Sequence, residues 1–261
     1  MCLILISYRQ DPDYPLILAA NRDEYYSRPT RAAHYWQDHP AILGGRDLEQ
    51  GGTWLGITRR GKFAAVTNYR EPPLKKTGKV SRGLLVSDFL TGTEPPREYL
   101  TGLTARAGNY DAFNLLAGDV SDLYFFSSRR GGAQKLSRGL YGISNGELDC
   151  PWPKVKKGKA RLDREMEANG RLDPERLMAI LSEKQIAADG ELPDTGIGVE
   201  LERKLSPIFI NMDGYGTRSS TVLLIDGHGR VQFEERSFDE RGGITSTAKF
   251  EFDIEGLVSC S

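Results

Sequence analysis

The opening of the chain constrains its fold more than any other segment. Met1-Cys2-Leu3-Ile4-Leu5-Ile6-Ser7-Tyr8 is a short, continuous apolar run, and Leu16-Ile17-Leu18-Ala19-Ala20 is a second one. A polar turn at residues 10–14 separates them. Runs of this length, bounded by turn residues, read as strands rather than helices, and together they predict a hairpin with both strands buried. Such a hairpin needs a sizeable core, and a chain of 261 residues is long enough to provide one.

The same stretch is not an address. A secretory signal requires a basic start, a longer apolar stretch and a small-residue cleavage site, whereas Asp11-Pro12-Asp13 follows almost at once. Position 2 is not glycine, which excludes myristoylation. No Asn-x-Ser/Thr sequon occurs, and no apolar run approaches the roughly 20 residues that cross a bilayer. Lys and Arg number 35 against 36 Asp and Glu, so no net basic field exists to attract nucleic acid or anionic lipid. Cys2, Cys150 and Cys260 are too few and too scattered for a disulfide framework. The expected location is the cytoplasm, with neither nucleic acid nor membrane as partner.

Further along, strand-like runs at residues 41–43, 53–58 and 63–68 are punctuated by Gly44-Gly45, Gly51-Gly52 and Gly61. Ser81 reads as the N-cap of a helix over residues 83–90, and Pro95-Pro96 starts another through Leu103. Strands are expected at 113–117 and 123–127. A basic amphipathic helix follows within 151–170, carrying Lys154, Lys156, Lys157, Lys159, Arg161 and Arg164 on what reads as a solvated face. Asp173-Pro174 caps the next helix. Residues 189–200 read as loop, and strands return at 208–212, 219–226 and 231–238. Strands in blocks separated by helices argue for an α+β fold, and the absence of repeats or a low-complexity linker for one domain spanning residues 1–261.

Several polar constellations could carry chemistry. If the initiator methionine is removed, Cys2 owns a free α-amine beside its thiol. Their reference pKa values, about 7.7–8.0 and about 8.5, are nearly matched, so one residue supplies both nucleophile and base. The alternative is a small apolar residue at a strand start. Asn21-Arg22-Asp23-Glu24 follows the second strand, and the hairpin can return it beside Cys2; an arginine there favours thiolate and an acid orients its neighbours, although an ordinary polar loop fits equally. Asn145, in Tyr141-Gly142-Ile143-Ser144-Asn145-Gly146, is either an oxyanion donor or a turn asparagine. Gly214-Tyr215-Gly216-Thr217-Arg218-Ser219-Ser220-Thr221 either binds a carboxylate or pairs across strands. The glycines at 44–56 lack the order of a nucleotide-binding loop. His34, His39 and His228 have no metal-ligand spacing, Cys150-Pro151 is a dipeptide sometimes linked to haem, and no Gly-x-Ser-x-Gly elbow exists.

Taken in order, Met1-Cys2-Leu3, Asn21-Arg22-Asp23-Glu24, Gly51-Gly52-Thr53-Trp54-Leu55-Gly56, Tyr141-Gly142-Ile143-Ser144-Asn145-Gly146, Pro151-Trp152-Pro153-Lys154 and Thr217-Arg218-Ser219-Ser220-Thr221 resemble the transport and Golgi organisation protein 2 (NRDE) family over essentially the whole chain. That family is similar to cysteine N-terminal nucleophile hydrolases such as penicillin V acylase and bile salt hydrolase. The resemblance implies a four-layer αββα sandwich of two antiparallel sheets. It implies Cys2 as nucleophile, Arg22 in the arginine role, Asp23 or Glu24 in the acid role, Asn145 as oxyanion donor and Arg218 as a later site arginine. The relatives use an Arg-Asn-x-Asp order, so the register within the tetrapeptide is open. Asn21, Glu24, Trp54, Arg218 and Ser219 are the expected substrate contacts.

Two functions follow. One is a hydrolase or acyltransferase that uses Cys2 on a non-peptide amide or acyl bond of a small molecule, with no cofactor required. The other is a non-catalytic carrier of haem or another hydrophobic small molecule, linked to lipid and secretory-pathway homeostasis, with Trp36, Trp54, Tyr25, Tyr26 and Phe63 as apolar walls.

Overall fold

Alternation along the first strand sets the architecture. In the computed structural model, which describes residues 2–71, 80–168 and 172–257, Ile4 and Ile6 pack into one apolar cluster and Leu3 and Leu5 into another. A strand buried on both faces has to lie between two covering layers. Met1, Gly170 and Cys260 fall outside the described residues.

In chain order the strands are β1 (Cys2–Tyr8), β2 (Leu16–Tyr25), β3 (Thr30–Tyr35), β4 (Ile42–Asp47), β5 (Leu55–Thr58), β6 (Phe63–Asn68), β7 (Phe113–Gly118) and β8 (Leu123–Ser127). They continue with β9 (Ala133–Lys135), β10 (Gly139–Ile143), β11 (Asn211–Met212), β12 (Tyr215–Ile225), β13 (Arg230–Phe238) and β14 (Ile244–Asp253). The helices are α1 (Gly83–Thr91), α2 (Pro96–Leu103), α3 (Pro153–Glu167), α4 (Pro174–Leu181) and α5 (Val199–Lys204).

Among the described residues these strands form two seven-stranded sheets. The first runs β10-β1-β2-β12-β13-β14, with β11 against β12; the second runs β3 to β9 in sequence order. Ile4, Ile6, Leu18, Leu223 and Phe233 of the first sheet meet Leu43, Leu55, Ile57, Phe63 and Phe125 of the second. On the outer face of the first sheet, Leu3, Leu5, Ile17 and Val222 pack on Val155 and Leu162 of α3 and Leu177 and Leu181 of α4. On the outer face of the second, Val66, Phe113 and Phe126 pack on Leu85 and Phe89 of α1 and Leu100 of α2. The order is helix, sheet, sheet, helix, the expected αββα sandwich.

Local signals account for most elements. Pro96, Pro153 and Pro174 occupy first-turn positions whose N–H groups have no intrahelical acceptor. The Asp173 side chain accepts from Glu175 N at 2.9 Å and caps α4. Some expectations are corrected. Arg82, not Ser81, holds the N-cap position of α1; Ser81 Oγ accepts from Gly83 N at 3.3 Å from one residue further out. The strand expected over 208–212 shrinks to β11, because Phe209 N donates to Glu183 O and Ile210 N to Thr217 Oγ1. The loop over 189–200 holds a 3₁₀ turn, Asp189–Glu191, and the start of α5. The edge strands β3, β9, β10 and β14 are absent from the sequence-based expectations; β14 is mostly exposed and polar, so it has no apolar run to betray it.

Candidate active site

Pairing of β1 with β2 places Cys2 directly opposite Arg22. The hairpin therefore returns the polar tetrapeptide to the leading thiol, as expected. Continuing alternation from Ile4 and Ala20 puts both side chains on the face between the sheets. The Asp23 backbone N–H points at the Cys2 thiol. Burial pushes that thiol up from its ordinary value, and the Asp23 carboxylate adds to the rise, while the Asp23 N–H and the Arg22 guanidinium pull the other way. Burial favours the protonated form of the thiol, so attack by its sulfur needs a base.

The tetrapeptide is divided by strand alternation. Arg22 lies over the Trp54 ring at 4.2 Å, donates to Thr30 Oγ1 at 3.3 Å and faces Glu24 at 3.9 Å. Trp54 is fixed in turn by Gly45: a Cβ there would overlap the indole ring. Asn21 and Asp23 point the other way, toward the helices. Asn21 Nδ2 donates to the carbonyls of Leu181 and Ile208, and its Oδ1 accepts from Ser220 Oγ. Its polar capacity is used up in tying β2 to α4 and the 206–210 segment, and the structure does not bring it to a cleft. Asp23 Oδ1 accepts from Thr217 Oγ1 at 2.7 Å, and Tyr215 OH donates to Asp23 O at 3.1 Å. Burial raises the Asp23 carboxyl, with Lys154 the foremost opposing charge.

Lys154 corrects the sequence reading. It is only 3% exposed and does not belong to the solvated face of its helix. Lys154, Gly158 and Leu162 are buried at successive four-residue steps of α3, so the lysine sits on the apolar stripe. That spacing was the available signal, and the surrounding lysines masked it. Its Nζ has no hydrogen-bond partner among the described residues. Burial pulls its ammonium down to about 8, against the attraction of Asp23. Arg70 and Glu202, an ion pair with both side chains buried, stand in the same group. Sequence reasoning missed these two as well.

Asn145 follows β10, which runs beside β1 with Ile143 opposite Ile4. Ser144 Oγ donates to Cys2 O at 3.0 Å, which fixes the junction to the first strand. Asn145 is fully buried; its Nδ2 donates to Asn68 O at 2.8 Å. Arg218 sits at the β-bulge in β12 and donates to the carbonyls of Tyr25, Tyr26 and Arg28, bracing the β2–β3 turn. Ser219 pairs with Arg22 across the strands.

A cleft of about 450 Å³ opens on the Arg22 side of the site, lined among others by Arg22, Glu24, Arg28, Asp47, Arg82 and Asp111, and its lining does not include Cys2, Asn145, Arg218 or Ser219. It carries charges of both signs, and Trp54, Asn68 and Tyr215 complete part of its wall. Of the aromatic residues considered as apolar walls, Tyr25 and Trp54 line this cleft, whereas Trp36 and Phe63 are buried in the core layers. Among the described residues, no group of three or more His, Cys, Asp or Glu could hold a metal ion, and no helix is long and apolar enough to cross a membrane.

The layered fold with a cysteine at the head of a central strand defines an N-terminal nucleophile hydrolase-like architecture. Two mutant forms of conjugated bile acid hydrolase from Clostridium perfringens share it. One has a TM-score of 0.54 at 7% identity, covering 97% of this chain and 92% of that one; the other has 0.52 at 8%, covering 97% and 98%. At such identity the likeness is one of fold alone. The chain belongs to the Transport and Golgi organisation 2 family, whose model matches residues 1–240. It is 39% identical to the Transport and Golgi organization protein 2 homolog of Bos taurus, over 91% of this chain and 93% of the relative. With the Homo sapiens homolog the identity is 37%, over 98% and 100%.

Proposed function

We propose that this protein is a hydrolase or acyltransferase that cleaves a non-peptide amide or acyl bond of a small molecule through Cys2. The observation that carries the reading is the direct pairing of Cys2 with Arg22, with the Asp23 N–H on the thiol. A thiol kept protonated by burial becomes a nucleophile only when a base takes its proton. Removal of Met1 would free the Cys2 α-amine for that task.

In the first half-reaction the Cys2 sulfur attacks the carbonyl carbon and its proton passes to the α-amine. Arg22 stabilises the developing charge on sulfur. The carbonyl oxygen becomes an oxyanion, for which Asn145 is the side-chain donor; a donor of this kind is worth about 3–4 kcal/mol. The α-ammonium then gives its proton to the leaving nitrogen or oxygen as the bond to carbon breaks. In the second half-reaction water, or another acceptor, attacks the thioester, its proton passes to the α-amine, and the thiol is released. The cleft's charges of both signs suit a polar leaving group.

Intact mass spectrometry of the purified full chain after exposure to p-nitrophenyl acetate tests the reading. The expected result is a chain lacking Met1 that gains one acetyl group on Cys2, and a Cys2→Ala variant that gains none there. Stability of Cys2→Ala should stay within about 1–2 kcal/mol of the parent, because little buried volume is lost. A retained Met1, an unmodified thiol and stoichiometric haem uptake with a Soret band would replace the enzyme by a carrier.

A further inference from the structure

On the face between the sheets, the pairing registers carry a polar row away from Cys2. Cys2 is opposite Arg22, Arg22 opposite Ser219, Ser219 opposite Ser237 and Ser237 opposite Ser246. In the neighbouring row Thr221 is opposite Glu235. Elsewhere this interlayer is filled with aliphatic and aromatic side chains. Here it opens into a pocket of about 170 Å³ behind Trp54, closed by Thr30 on the side of the second sheet.

The lining is unfinished. Ser219 Oγ and Trp54 Nε1 are buried without a hydrogen-bond partner among the described residues. Unmet buried donors are costly, about 1–3 kcal/mol each, and two around one pocket point to an absent partner. Glu235, 2% exposed, accepts from Ala33 N at 2.7 Å and from Thr221 Oγ1 at 3.3 Å. Burial pushes its carboxyl up to about 7. Arg218 and Glu235, of opposite sign, both line the pocket, so a cation meets a guanidinium group and an anion meets a carboxyl group. The electrostatics favour an uncharged occupant. At about 30 Å³ per water-sized group, the space takes about six such groups.

We propose that this pocket is a binding subsite for a short, uncharged, hydroxyl-bearing group of the molecule processed at Cys2, recognised by Ser219, Trp54 and Glu235. It rests on the reading of Cys2 only for the word processed; the binding itself does not need a reactive thiol. An indole N–H needs an acceptor, and a ligand hydroxyl supplies one while donating its own proton onward to Ser219 or Glu235.

The experiment follows the Trp54 indole N–H cross-peak of the ¹⁵N-labelled full chain, assigned by its loss in Trp54→Phe, during titration with 3-hydroxybutanamide and with butanamide. The hydroxylated amide should move the peak saturably, and butanamide should bind about tenfold or more weaker, the discrimination expected when one or two buried hydrogen bonds go unmade. Ser219→Ala, checked for an otherwise unchanged spectrum, should weaken the hydroxylated amide by a similar factor. An unmoved peak, equal binding of the two amides in the parent protein, or an unchanged affinity in Ser219→Ala would overturn the subsite. Acetylation of Cys2 by p-nitrophenyl acetate is read on the same sample. A moved peak with an unmodified thiol sinks the nucleophile and keeps the pocket; the reverse sinks the pocket and keeps the nucleophile.

Discussion

Replacing Lys154 by methionine keeps the length of the side chain and removes its charge. In the parent, burial lowers the ammonium from the 10.5 of a free lysine to about 8. At 1.36 kcal/mol per pKa unit, that difference amounts to about 3 kcal/mol. Between pH 8 and 10.5 the unfolded chain holds a proton at this position that the folded chain has released. Stability therefore rises with pH across the window, and the charged form is the one that costs. Lys154→Met has no such proton. The stability of the parent minus that of the variant should climb by about 2 kcal/mol from pH 7.5 to pH 10, whatever its value at the start. Subtraction removes the tyrosines and thiols that titrate in the same range in both proteins. Urea unfolding at half-unit pH steps measures the difference, with the denaturant slope checked for constancy. A difference that is flat or falls with pH would mean that Lys154 is paired or solvated, and the buried cation beneath Asp23 would be lost from the site.

Glu235→Gln should behave in the opposite sense. A carboxyl raised from 4.5 to about 7 makes the folded state lose stability as pH rises through that interval, so glutamine should add about 3 kcal/mol at pH 8 and almost nothing near pH 4; equal unfolding midpoints at pH 8 would contradict the burial of the acid. Gly45→Ala should cost about 1–3 kcal/mol by pressing a methyl group into the Trp54 ring, and it should change the fluorescence of that indole; a neutral substitution would show the ring free to swing away. Cys2→Ser should retain slow acylation by activated esters where Cys2→Ala shows none, and an inert serine variant under conditions that label the parent would require a role for sulfur beyond nucleophilicity.

The legible parts of the sequence are those where one interaction dominates. The first hairpin was readable because six apolar residues in a row, Met1 to Ile6, have few alternatives to a buried strand, and the pairing of Cys2 with Arg22 follows from the length of its turn. The helices after Pro96 and Asp173 were readable because proline and the aspartate cap act within one turn. The edge strands were not, because β14 alternates polar residues over a largely exposed surface and owes its conformation to β13. The ionic group beneath the site was illegible for a related reason. Lys154, Arg70 and Glu202, which gather near Asp23, come from three separate segments, and each looks like a surface residue in its own neighbourhood. Burial of a charge is a property of the assembled layers.

The open register of Asn21-Arg22-Asp23-Glu24 can be argued from those layers. A β-strand sends successive side chains to opposite faces, so the tetrapeptide cannot act as one cluster. Asn21 and Asp23 share the helix-facing side, and only Asp23 combines a backbone N–H on the thiol with a carboxylate beside Lys154. Glu24 shares the inter-sheet face with Arg22, stands 3.9 Å from its guanidinium and lines the cleft. We propose on this basis that Asp23 is the acid beneath the thiol and that Glu24 orients Arg22 at the mouth of the cleft. Asp23→Asn should slow acylation of Cys2 across the whole pH range, because it removes the counter-charge for the α-ammonium. Glu24→Gln should leave the rate at saturation nearly unchanged and raise the ester concentration needed to reach it. Interchanged phenotypes, with Glu24→Gln losing the chemical step and Asp23→Asn losing only affinity, would assign the two acids the other way round.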